Sequence, residues 1–187
     1  MGRLIVEQMV TADGFAAGPG GSLEHLVPPA EGGVDARQAR MLEGCDAILL
    51  GRVTYEMFAD YWPGQTPDDD WIAEPINRLP KHVISNVLAK APWGDYASAT
   101  VEHGEPRHTV RRLKEDYQGD IVLWGSLTLT GALLQARLID QVRLRIVPVV
   151  IGEGLRLAPG LRDPRSLTLT EVDTFPTGHV TLVYDVV

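Results

Sequence analysis

A chain of 187 residues with 17 Lys+Arg against 25 Asp+Glu carries a formal charge of −8, which fits one domain spanning 1–187 and lacks the basic stripe of a nucleic-acid binder. Apolar residues make up 44%, enough for a sizeable core, and the single cysteine, Cys45, excludes an internal disulfide or a multi-cysteine zinc site. No apolar run reaches 18 residues, so we expect a cytoplasmic protein with no membrane or nucleic-acid partner and no metal.

The first aliphatic run, residues 4–10, reads as a strand that turns at Asp13-Gly14. Residues 16–34, rich in glycine and proline, predict a long loop of the kind that often carries function. A helix is expected over 35–44, with Ala39 and Leu42 on one face, then a buried strand at 46–51 and a helix around 53–60. A Pro- and Asp-rich excursion follows at 63–70. Strands are predicted at 81–85 and 97–102, a helix at 107–117 and a buried strand at 120–125. Residues 127–138 form a helix face through Leu127, Gly131, Leu134 and Leu138. Residues 141–152 read as one strand, and two further strands at 167–170 and 180–187 close the chain. Strand–helix units followed by strands alone predict a three-layer α/β/α domain. Its mixed sheet is parallel at first and gains antiparallel C-terminal strands.

Two junctions share one design. The buried strand at 46–51 runs into Gly51-Arg52-Val53-Thr54 and a helix, and the strand at 120–125 runs through Gly125 into Ser126-Leu127-Thr128 and a helix. A helix N-terminus leaves N–H groups without intrahelical partners and favours an anion. Glycine allows close backbone approach, arginine offers a bidentate phosphate contact and threonine a hydroxyl. Ser85-Asn86 ends a third strand, and open α/β sheets bind ligands at the carboxyl ends of their strands. No G-x-G-x-x-G follows the first strand, which disfavours a Rossmann nucleotide site. The alternatives are plain: tight turns at Gly51 and Gly125, an N-cap at Ser126 and a solvated Arg52.

Thr11-Ala12-Asp13-Gly14-Phe15, Gly51-Arg52-Val53-Thr54-Tyr55-Glu56, Lys81-His82-Val83-Ile84-Ser85, Trp124-Gly125-Ser126, Leu138-Ile139-Asp140 and Pro148-Val149-Val150-Ile151-Gly152-Glu153-Gly154 occur in order over about 150 residues. Together they resemble the dihydrofolate reductase-like family, in the branch related to the reductase domain of the bifunctional riboflavin-biosynthesis deaminase–reductase. The resemblance implies a homodimeric, NADPH-dependent reductase on the dihydrofolate reductase-like α/β/α fold, acting on a small heterocycle that is pterin-like or ribosylaminopyrimidine-like. By the same resemblance, Arg52 and Thr54 hold cofactor phosphates beside Gly51. Ser85 and Asn86 lie near the adenosine 2′-phosphate. Gly125, Ser126, Leu127 and Thr128 wrap the pyrophosphate, and Ala12 lies beside the nicotinamide. Asn86 stands where the family often has a basic residue, so NADH is not excluded. The deaminase signature H-x-E…P-C-x-x-C is absent.

Hydride transfer needs a proton source, and Asp35 and Asp13 are the candidates. Asp35 also fits an N-cap, with Gln38 three residues on, and Asp13 an Asx turn. Glu153 sits between two glycines, as a hairpin turn or a substrate contact. Arg143 and Arg145 share a strand face, wet or dimeric. His25, His82, His103 and His108 lack metal-ligand spacing and read as surface or loop residues. Cys45 is expected to be buried. Trp62, Trp71 and Trp93 either line the substrate pocket or anchor loops. A non-catalytic dimeric nucleotide-binding module or sensor on the same fold is the competing reading.

Overall fold

A computed structural model describes residues 1–26, 36–68, 70 and 72–187; Asp35 and Trp71 fall outside them. In chain order the elements are β1 (Leu4–Thr11), β2 (Phe15–Ala17), α1 (Ala36–Glu43), β3 (Cys45–Gly51), α2 (Arg52–Tyr61), α3 (Ala73–Arg78), β4 (Lys81–Ile84), β5 (Ala91–Trp93), β6 (Tyr96–Glu102), α4 (Pro106–Asp116), β7 (Asp120–Trp124), α5 (Leu127–Gln135), β8 (Gln141–Val147), β9 (Leu155–Arg156), β10 (Leu167–Thr174) and β11 (Val180–Val186). They fall into two compact units, residues 1–4 with 33–126, and residues 5–32 with 127–187.

In the first unit the strand order is β7-β3-β4-β6-β5. The first four strands are parallel and β5 runs antiparallel to β6. β3 and β7 are buried nearly throughout, which is why they read as unbroken apolar runs. Their side chains meet Tyr55, Ile76, Val83 and Trp93 in one core cluster. Full burial of each large apolar side chain contributes roughly 1.5–3 kcal/mol. Trp93 is therefore core. Its ring tilts against Tyr55 and its Nε1 donates to Asn77 Oδ1 at 2.7 Å. Trp62 packs edge-on against Phe58 and Tyr61.

In the second unit the strand order is β10-β11-β8-β1, with β1 parallel to β8 and β11 antiparallel to both β8 and β10. The predicted strand at 141–152 stops at Val147, because Pro148 has no N–H to continue a ladder. The chain turns there, with Val149 N donating to Val147 O, and Ala12 N to Val149 O. β10 is longer than the predicted 167–170. The short strands β2, β5 and β9 and the six-residue α3 had no expectation in the sequence; β2, at the start of the predicted loop over 16–34, pairs with β9. Among the described residues no helix is long and apolar enough to cross a membrane.

Candidate functional site

The ends of β7, β3, β4 and β6 stand level in the first unit. Leu50 pairs with Trp124, Gly51 with Ile84, and Ile84 with Glu102. The carboxyl edge therefore aligns Gly125-Ser126, Gly51-Arg52, Ser85-Asn86 and His103, in that order across the sheet.

Gly51 caps α2 in extended backbone (φ −84°, ψ 164°), and no side chain bonds to the helix end. The first-turn N–H groups of this ten-residue helix are thus left for a ligand or solvent. Arg52 and Val53 are exposed on that turn, and Thr54 is buried. The Arg52 guanidinium rests against Glu56, with Nη1 at 2.9 Å from both carboxylate oxygens. Both side chains are nearly half exposed, so this pair is a weak, exchangeable partner for the cation.

The turn after β7 interlocks with it. Gly125 and Ser126 both have left-handed backbone, φ 56° and 52°. For serine that conformation costs about 1–2 kcal/mol, so the surroundings must enforce it. Thr54 Oγ1 accepts the Ser126 amide at 3.1 Å. A Cβ on Gly125 would lie 2.7 Å from Thr54 Oγ1, and one on Gly51 would lie 2.9 Å from Ser126 Cβ and closer still to its hydroxyl. Each glycine makes room for the other's turn, so that two helix-leading turns share one small space.

Ser85 and Asn86 act locally. Ser85 is buried, and its Oγ accepts the Val87 and Leu88 amides at 3.2 Å each. Asn86 Oδ1 accepts the Gly104 amide at 2.7 Å, tying the loop after β4 to the loop after β6. Both side chains shape the edge through their oxygens.

In the second unit, Ala12 is exposed and its amide is taken by Val149. Asp13 accepts Thr11 Oγ1 at 2.6 Å and the amides of Ile151 and Gly152 at 3.2 and 2.8 Å. The Thr11 hydroxyl is the largest influence and holds its carboxyl below the usual carboxylate range; burial opposes it more than either amide alone helps, and the Gly152 and Ile151 amides add to the lowering. An aspartate kept ionised in this way clamps two loops and is a poor proton donor. Leu127 and the exposed Thr128 open α5. Asp35 lies outside the described residues. Glu153 is exposed between Gly152 and Gly154, both at positive φ, as a turn residue.

Arg143 is buried inside the chain, opposite Glu7 on β1 and Val183 on β11, which replaces the wet-face expectation at this position. His82, read as a surface or loop residue, is also buried. Its ring nitrogens lie 2.7 Å from Glu102 Oε1 and 2.9 Å from Tyr117 Oη, and Arg112 completes the cluster on Glu102 Oε2 at 2.7 Å. No local spacing announces this cluster, because β4, β6 and α4 supply its members. Cys45 is buried, as expected.

The model of the RibD C-terminal domain family matches residues 3–181. The uncharacterized protein YyaP of Bacillus subtilis is 29% identical over 187 residues, covering 97% of this chain and 94% of that one. A crystal structure from Shewanella sp. PV-4, ascribed to riboflavin biosynthesis, has a TM-score of 0.79 at 22% identity and 99% coverage of both chains. Dihydrofolate reductase from Enterococcus faecalis, complexed with NADP(H) and RAB-propyl, has a TM-score of 0.57 at 13% identity, covering 98% of this chain and 96% of that one. These likenesses establish a dihydrofolate reductase-like fold of reductase type, with a mostly parallel sheet ending in antiparallel strands, and on the family match the chain belongs to the RibD C-terminal domain family.

Proposed function

We propose that this protein is an NADPH-dependent reductase that transfers a hydride to a small heterocyclic substrate, pterin-like or ribosylaminopyrimidine-like. The observation that carries the reading is the interlocked pair of turns at Gly51–Thr54 and Gly125–Ser126. A helix start without a side-chain cap, an exposed arginine and an enforced left-handed turn meet at the carboxyl edge of parallel strands. These residues fit a dinucleotide's phosphates. Arg52 exchanges Glu56 for a phosphate oxygen, and the α2 amides donate to the same group. Leu127, Thr128 and Ala12 are assigned to the same cofactor by family resemblance. The reduced nicotinamide supplies the hydride; the chain supplies position and charge. With Asp13 held ionised as a clamp, delivery of the proton falls to Asp35 in this proposal.

Titration with NADPH, followed by its fluorescence and by Tm, tests the reading, and no binding at millimolar cofactor refutes it. Arg52→Ala is expected to weaken NADPH by about 1.5–3 kcal/mol, the range for hydrogen bonds to a charged group; unchanged affinity would remove Arg52 from the site. A homodimer in the cytoplasm belongs to the same proposal. Leu167, Leu169 and Val172 are half exposed on the terminal strand β10, as an interface strand would be. A monomer by sedimentation would refute that part. The clamp role of Asp13 also favours a second reading, a nucleotide-binding module without turnover. Stopped-flow oxidation of bound NADPH across pterins and aminopyrimidine ribosides separates the two.

A further inference from the structure

We propose that Val53, Met57 and Tyr61 set the choice of substrate, admitting a flat, uncharged ring and turning away compounds that carry a phosphate. The inference rests on the reductase reading above, of whose two substrate types it selects the unphosphorylated, pterin-like one, and it concerns the first unit alone. The three residues recur at every fourth position along α2, so they share one helix face. They are 67%, 43% and 51% exposed. An apolar stripe on the outside of a helix marks a binding face. Val53 stands in the first turn beside Arg52, so the stripe starts at the proposed phosphate turn, and at the helical rise Tyr61 lies ~12 Å farther along the axis.

Packed rings back this stripe. Tyr61 meets the Trp62 ring edge-on at 5.0 Å, Trp62 meets Phe58 at 6.0 Å, and Phe58 meets Trp124 at 5.8 Å between centroids. Trp124 closes β7 directly before the Gly125–Ser126 turn, so the rings run without a break from that turn out to Tyr61. The Asn77 side-chain amide donates to Trp62 O at 2.8 Å and fixes the outer end. Rings ordered in advance lower the cost of stacking a planar ligand on them, and the polarizable Met57 thioether adapts to its edge. Charge decides what tail that ligand carries. Between Gly51 and Asn77 the sequence has one Lys or Arg, Arg52. That residue is engaged by Glu56 and, in the reading above, by the cofactor. Glu56, Asp60 and Asp68 are exposed along the same segment. A second phosphate placed here meets carboxylates and no further cation of this segment, which is repulsion set against the wrong substrate.

The test is calorimetric titration of the whole protein, saturated with NADP⁺, with dihydroneopterin and with dihydroneopterin monophosphate, a pair that differs only in the phosphate. Dihydroneopterin should bind at least tenfold tighter. Tyr61→Ala and Met57→Ala should each weaken it severalfold, with NADP⁺ affinity and Tm unchanged. Asp60→Lys should narrow the gap by improving binding of the monophosphate alone. Equal or tighter binding of the monophosphate by the wild type overturns the inference, as does dihydroneopterin binding that neither stripe variant affects. Sedimentation checks the other occupant: a wild-type dimer that Tyr61→Glu converts to monomer would make the stripe a contact between copies and also overturn it. If NADP⁺ binds and dihydroneopterin does not at millimolar concentration, the inference falls and the cofactor reading stands. If NADP⁺ does not bind, both fall.

Discussion

Replacing Gly51 by alanine tests the interlock directly. The new methyl carbon would sit 2.9 Å from Ser126 Cβ, against the 3.5–4.0 Å of an ordinary carbon–carbon contact. Ser126 is held by its amide bond to Thr54 and by left-handed backbone, so it has little freedom to withdraw. Overpacking of this kind costs about 1–3 kcal/mol. For a chain of this length each kcal/mol moves Tm by about 2–4 °C, so Gly51→Ala should lower it by about 2–12 °C. Ser126→Gly removes the colliding side chain and the strain of serine at φ 52° together. The double variant should therefore recover most of the loss, with a coupling of about 1–2 kcal/mol in a double-mutant cycle. Denaturant unfolding gives the free energies. Additive effects, or a Gly51→Ala protein as stable as the wild type, would mean that the two turns are not in contact.

The remaining predictions concern single interactions. Thr54→Val keeps the shape but removes the acceptor of the Ser126 amide; it should cost about 1–3 kcal/mol and weaken NADPH, and unchanged chemical denaturation would discount that bond. Glu56→Gln frees Arg52 from its surface pair, so NADPH should bind a few-fold tighter while stability falls by no more than about 0.5 kcal/mol; weaker binding would argue that Glu56 positions Arg52 productively. Burial lowers the Lys81 ammonium to about 8 from an ordinary 10.5. Between those values the unfolded chain holds a proton that the folded chain has released, so stability gained from this group rises with pH. The wild type minus Lys81→Met difference in unfolding free energy should climb by on the order of 1–2 kcal/mol, after allowance for screening, from pH 7 to 10. A flat or falling difference refutes the assignment.

The sequence was most informative where local pattern and burial agree. β3 and β7 are covered on both faces, so their apolar runs stand out, and the helices after them begin within a residue or two of the predicted starts. The family motifs then placed Gly51, Arg52, Thr54, Gly125 and Ser126 at one sheet edge. Local pattern said nothing of pairing between distant segments. β2 and β9 are strands only through each other, and the short β5 relies on β6. The His82–Glu102–Tyr117 cluster draws on three elements, and the burial of Trp93 depends on Asn77 and Tyr55 arriving from elsewhere. The purpose of the two glycines was likewise invisible, since the atoms that exclude a Cβ are 75 and 71 positions away in the chain. Asp13 was legible as a turn residue, but not the Ile151 and Gly152 amides that neutralise it as an acid.

The Asp13 clamp joins positions 138 and 139 residues apart. A bridge of that span closes a large loop and forms only after most of the polypeptide has been made. On the ribosome, the N-terminal turn waits for a segment near the far end to emerge. Truncation before Ile151 would leave Asp13 without either amide, however well the intervening strands had already paired.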